Sequence, residues 1–110
     1  MYKPHFQKSF RDRIKSKKKS DIQKVKIFKE GVQKILSGQI QGTHFLKGEL
    51  RGKRTLHLSM DLRIIFAICG ECLRLGHKQY NDCEDCDTVS TDKNTAVFFY
   101  AWDRKDDYRL

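Results

Sequence analysis

A change in the spacing of apolar residues near position 42 constrains the fold of this chain more than any other feature. Upstream the spacing is helical. Phe6, Phe10 and Ile14 recur every four residues, which places them on one stripe of a first helix. The run Lys15-Ser16-Lys17-Lys18-Lys19 has no apolar anchor and reads as a turn. Ser20 then offers an N-cap, and Gln23 stands three residues on, as a capping box requires. From there Ile22, Val25, Phe28, Val32, Ile35 and Leu36 keep the 3–4 spacing of an amphipathic helix, and Gly38 supplies its C-cap. Two such helices joined by a short basic turn predict an antiparallel hairpin.

Downstream the period falls to two. Apolar and polar residues alternate through Thr55-Leu56-His57-Leu58-Ser59; Leu62, Ile64, Phe66 and Ile68 then form one apolar face, with Arg63 pointing the other way. Met60-Asp61 reads as the tight connection between these two strands. A last strand runs from Thr95 through Val97, Phe98, Phe99 and Tyr100 to Trp102. The order helix, helix, strand, strand, strand predicts an α+β fold in which a two-helix hairpin packs on a small antiparallel sheet. At 110 residues the chain is expected to form a single domain, 1–110, with a core small enough for an added metal site or cross-link to matter. There is no internal repeat and no apolar run near the length of a membrane span, and Met1-Tyr2-Lys3-Pro4-His5-Phe6 is not a signal peptide. A soluble, cytoplasmic protein is expected.

Between the second and third strands lies an insertion, residues 69–94, carrying all four cysteines as Cys69-Gly70-Glu71-Cys72 and Cys83-Glu84-Asp85-Cys86. Two intervening residues fold a tight knuckle that turns both sulfurs toward one ion, so paired C-x2-C units read as a tetrahedral zinc site. Two disulfides or a redox pair are the rival readings; a cytoplasmic setting argues against the first and duplication against the second. Four thiolates would fill the coordination sphere, which makes the zinc structural, and His77 in the spacer is surplus as a ligand. Knuckles at the ends of adjacent strands could converge. Asp82, Glu84, Asp85 and Asp87 make this corner acidic and an unlikely place to meet RNA.

The net charge of +9 is unevenly spread, with 16 Lys/Arg against 4 Asp/Glu in residues 1–55 and 7 against 10 in residues 56–110. The first half could therefore face a polyanion, nucleic acid above all, or dock an acidic protein. The densest polar stretch, residues 44–63, gathers His44, Lys47, Arg51, Lys53, Arg54, His57, Asp61 and Arg63. On alternating strands His57 and Arg63 would share the polar face of a hairpin whose other face is core. Cleaving RNA without a metal needs a base for the 2′-hydroxyl, an acid for the leaving 5′-oxygen and cations for the phosphorane. Histidine suits the proton roles and arginine the third. A strand histidine that is merely an exposed polar residue is the bland alternative.

The run from His44 to Arg54, followed by Leu56-His57-Leu58 and Asp61-Leu62-Arg63-Ile64-Ile65-Phe66, resembles the RelE/ParE toxin superfamily, and within it the YafQ type of messenger-RNA interferase. The resemblance covers about residues 6–68 and 95–108 and leaves the cysteine insertion outside. It implies two helices on a small antiparallel sheet, a metal-independent endoribonuclease that cleaves mRNA on the ribosome, and a cognate antitoxin. By this resemblance His44 and His57 carry acid/base and 2′-hydroxyl activation roles, Asp61 orients a histidine, and Arg63 stabilises the phosphate. Lys47, Arg51, Lys53, Arg54, Arg104 and the Lys17-Lys18-Lys19 run would contact RNA.

Three departures stand out. Relatives end in a His-Asp-Asp-x-Tyr element, where this chain has Asp103-Arg104-Lys105-Asp106-Asp107-Tyr108, so Lys105 or Arg104 replaces a histidine beside Tyr108. A cation there can stabilise charge but shuttles protons poorly at neutral pH. The edge strand with which relatives begin would be very short or missing, since only three residues precede Pro4. The insertion replaces a tight hairpin. Two other readings therefore stay open: a non-catalytic nucleic-acid-binding zinc protein, and a ParE-like gyrase inhibitor.

Overall fold

Each change of period marks a change of element in the computed structural model, which describes residues 2–16, 22–48, 51–76 and 94–103. The elements are β1 (Lys3–Phe6), α1 (Lys8–Lys15), α2 (Ile22–Leu36), β2 (His44–Phe45), β3 (Arg54–His57), β4 (Leu62–Ile68), α3 (Cys69–Leu75) and β5 (Thr95–Asp103). The strands form one sheet in the order β1-β5-β4-β3-β2. Helix α2 ends as its glycine foretells. Gly38 takes φ 89°, its N–H reaches the Ile35 carbonyl, and the Gln39 N–H reaches that of Lys34, the two bonds of a Schellman motif.

The sheet is mixed, a correction to the antiparallel sheet expected from the sequence. Strands β2 to β5 pair antiparallel, but β1 lies parallel to β5, with Lys3 opposite Thr95 and Phe6 opposite Phe98. The N-terminal edge strand is thus present, and Phe6 closes it rather than opening the first helix. Pro4 is tolerated because Lys3 and Gln7 donate their N–H groups to Asn94 and Phe98, which leaves the intervening proline nitrogen facing away from β5. The Ser20 cap and the Lys17-Lys18-Lys19 turn fall outside the described residues.

The two sides of the sheet differ in what covers them. On one side Phe10, Phe28, Val32 and Ile35 of the helices bury Leu56, Leu62, Ile64, Phe66, Ile68, Ala96, Phe98 and Ala101. Gly31 is part of this packing, because a Cβ there would stand 2.6 Å from a Leu58 methyl and 2.8 Å from one of Ile64. On the other side, open in the sense that neither α1 nor α2 covers it, a smaller buried cluster of Ile65, Ala67, Cys69, Val97 and Phe99 is bordered by Leu46 and Tyr100.

Strand β5 serves both sides through a β-bulge. Ile65 pairs with Tyr100 and Phe66 with Phe98, so Phe99 is an extra residue. The alternation restarts after it, which returns Ala101 to the helix side, sets Trp102 opposite Arg63 on the open side, and brings Asp103 back to Lys24 of α2 at 2.9 Å. Ser9 of α1 donates its hydroxyl proton to the Phe99 carbonyl at 2.6 Å.

The insertion begins differently from the expected knuckle. Cys69 and Cys72 lie one turn apart in α3, which Gly76 ends with φ 70°. Cys69 is buried in the open-side cluster and Cys72 is half-buried. Cys83, Cys86, His77 and the acidic residues between them fall outside the described residues. Among the described residues no helix is long and apolar enough to cross a membrane.

Candidate active site

Strand alternation carries a row of polar side chains across the open side. His44 pairs with Thr55, His57 with Arg63, and Arg63 with Trp102, so the row crosses β2, β3, β4 and β5 in turn. The His44 and His57 rings stand 5.7 Å apart, centroid to centroid, at an interplanar angle of 35°. Both are exposed. The Arg63 guanidinium lies 4.4 Å from the centre of the Trp102 ring, which fixes its plane beside His57. The structure therefore brings together both histidines and the arginine that the sequence marked.

The electrostatics of the row favour a neutral imidazole at its centre. Partial burial holds the His57 pKa below its ordinary value, and the positive charges of Arg63 and then His44 push the same way. A neutral ring can accept a proton at neutral pH. Three buried polar atoms on this face, Thr55 Oγ1, Arg63 Nε and Trp102 Nε1, have no hydrogen-bond partner among the described residues. Two are donors only, so the surface under the histidines has unspent capacity for an acceptor.

Other expected residues take different places. Asp61 lies exposed in the β3–β4 loop, where its backbone N–H approaches Ser59 Oγ at 3.4 Å. Its carboxylate is not among the charges that shift His57. Lys53 is only 7% exposed, and its ammonium sits 4.8 Å from the centre of the Phe99 ring, so it packs on the sheet instead of facing solvent. Arg54 is likewise spoken for. Its Nε and Nη2 donate to the two carboxylate oxygens of Glu71 at 2.7 and 2.8 Å, and this bidentate bond raises its pKa further. Lys47 and Arg51 are exposed near His44 in the chain. Arg104, Lys105, Tyr108 and Lys17-Lys18-Lys19 lie outside the described residues.

Sequence reasoning missed strand β2, which carries His44, and it missed Trp102 as a partner of Arg63. Alternation on β5 would have put Trp102 on the helix side, because the bulge cannot be seen in the spacing. An apolar groove of about 380 Å³ between α1 and α2, lined by Phe6, Phe10, Ile14, Phe28 and Val32, lies on the opposite side of the sheet and takes no part in this row.

A chain of the YoeB–YefM complex from Staphylococcus aureus superposes on this one with a TM-score of 0.59, covering 93% of this chain and 95% of that one at 14% sequence identity. The fold is YoeB-like. No family model matches the sequence, and a search of curated proteins finds no match. At this identity the likeness carries architecture, and the chemistry rests on the residues of this chain.

Proposed function

We propose that this protein is the toxin of a type II toxin–antitoxin pair and an endoribonuclease of the RelE/YafQ kind that cleaves mRNA on the ribosome. The observation that carries this reading is the 5.7 Å approach of His44 and His57 on an open sheet face, beside an arginine stacked on tryptophan. The site gathers imidazoles and a guanidinium rather than carboxylates, a donor set suited to proton transfer and phosphate stabilisation without a catalytic metal.

In this mechanism neutral His57 takes the proton of the 2′-hydroxyl as that oxygen attacks phosphorus. Arg63 holds the extra negative charge of the phosphorane. His44 gives a proton to the departing 5′-oxygen, leaving a 2′,3′-cyclic phosphate and a 5′-hydroxyl. Lys47 and Arg51 would hold neighbouring phosphates, aided by Lys17-Lys18-Lys19 and Arg104, with Lys105 helping to stabilise the phosphorane and Tyr108 serving catalysis or base stacking. Asp61 would orient or tune a histidine from the β3–β4 connection.

The shared fold supports the choice of partner, since YoeB–YefM is a toxin–antitoxin complex of the RelE superfamily. An antitoxin for this chain would shield the open face. Cys69 and Cys72, at adjacent turns of α3, would supply two of four thiolates to a structural zinc completed by Cys83 and Cys86. Metal analysis of the purified protein should find one zinc per chain, and Cys72→Ser should lose it.

The experiment for the nuclease reading is incubation of purified protein with mRNA on translating ribosomes. Cleavage that leaves cyclic phosphate ends, persists after brief chelation and disappears in His57→Ala supports it. Instant loss of cleavage on chelation with recovery on adding Mg²⁺ would overturn the metal-free route.

A further inference from the structure

We infer that Arg54 is a positioning residue for His44, gripped from behind the sheet by Glu71 of the inserted helix. The inference rests on the catalytic role proposed for His44. That histidine sits on a strand of two residues, whose ladder with β3 joins only His44 to Thr55 and Phe45 to Arg54, extended by the Leu46 N–H donating to the Lys53 carbonyl. So short a ladder leaves the direction of His44 dependent on what else holds its neighbours.

Arg54 holds both of them. Its Nη1 donates to Thr43 Oγ1 at 3.1 Å and reaches the Thr43 carbonyl at 3.5 Å, while the guanidinium carbon lies 4.2 Å from the centre of the Phe45 ring. Thr43 and Phe45 are the residues on either side of His44. One planar group thus fixes the chain before and after the histidine. Pairing places Arg54 opposite Phe66, on the helix side, and Thr55 opposite Ile65, on the open side, so the grip acts from the face away from the imidazoles.

Glu71 sets the plane of that group. Its two oxygens take the Nε and Nη2 protons side by side, and the two side chains are 14% and 16% exposed, so the charge-assisted bonds are largely withheld from water. Thr43 Oγ1 donates in turn to the Ile40 carbonyl at 2.6 Å, which anchors the far end of the grip to the segment after α2. Glu71 lies between Cys69 and Cys72, so an ion pair joins the start of the insertion to strand β3. Lysine cannot replace Arg54 here, because it lacks both the fork and the flat face.

Arg54→Ala, Arg54→Lys and Glu71→Gln separate positioning from plain stabilisation. For Arg54→Ala, kcat for mRNA cleavage should fall about tenfold to a hundredfold, with KM changed less than about twofold, as expected for a displaced reacting group. The NMR resonances of the His44 ring should move or broaden. Arg54→Lys should not restore either property, and Glu71→Gln should fall between Arg54→Ala and the parent. A purely stabilising pair would lower the melting temperature while leaving kcat and the His44 resonances in place in folded protein, and that result would overturn the inference. Should Arg54→Ala fail to fold, Glu71→Gln gives the same two readouts. If the parent protein cleaves no RNA, the nuclease reading fails, and the His44 resonances alone decide the positioning claim.

Discussion

The two sides of the sheet are built from the same strands and do opposite things with polar groups. On the helix side Asp103, the one buried charge there among the described residues, is fully enclosed and answered by Lys24 at 2.9 Å. On the open side Thr55 Oγ1, Arg63 Nε and Trp102 Nε1 are sealed from water without a partner among the described residues, next to two exposed histidines. A buried donor left unpaired costs roughly 1–3 kcal/mol. Under the proposed function, the first side serves stability and the second is kept for a ligand. Because the strands alternate, each strand residue can contribute to one of these tasks without disturbing the other.

The sharpest way to break this division is to exchange its symptoms. His57→Ala should lower cleavage by about 10²- to 10⁴-fold, the range of an acid/base group, while stability shifts by no more than about 0.5 kcal/mol, as for other surface changes. Phe28→Ala should do the reverse, costing about 3–5 kcal/mol in denaturant titration through a cavity in the helix-side core. A large loss of stability in the first, or a small one in the second, would erase the contrast. Lys24→Met tests the satisfied charge, since it removes the lysine partner of a carboxylate that has no exposure. A cost of about 2 kcal/mol is expected, below that of a wholly sealed pair because the lysine is 28% exposed.

A pH profile sharpens the open side. His57 titrates below its ordinary value, so the base form persists as pH falls through 6.5, and the acid limb of cleavage should lie below that point. Arg63→Ala removes one of the charges that lower it; the rate should drop and the limb should move up toward 6.5. The same depression means that His57's contribution to stability is full above its unfolded pKa and lost as pH falls toward its folded one. The smallest effect expected is that of Gly31→Ala. Crowding against Leu58 and Ile64 costs about 1–3 kcal/mol, offset by up to about 1 kcal/mol of helix propensity.

Strands β3 and β4 and helices α1 and α2 were legible in the sequence because each has an apolar face with a single period, and β5 because it is a nearly continuous apolar run. Strand β1 was not. It has four residues, contains a proline, and is defined by a parallel partner more than ninety residues away, which local spacing cannot reveal. The histidine pair could be placed on one face because His57 and Arg63 alternate with core residues, but the strand carrying His44 is too short to have a period. Arg54 and Lys53 read as surface cations by residue type alone. Their burial depends on Glu71 and Phe99, and Glu71 sat inside a spacing that pointed to metal binding instead.

The extra residue in β5 has a consequence for how this sheet tolerates change. Deleting Phe99 would make the ladder regular, since Phe98 and Tyr100 already face the consecutive residues Phe66 and Ile65, and would leave Trp102 beside Arg63 and Asp103 toward its lysine. One codon lost at the bulge would therefore be absorbed, whereas one gained beyond it would invert the side chains that follow together.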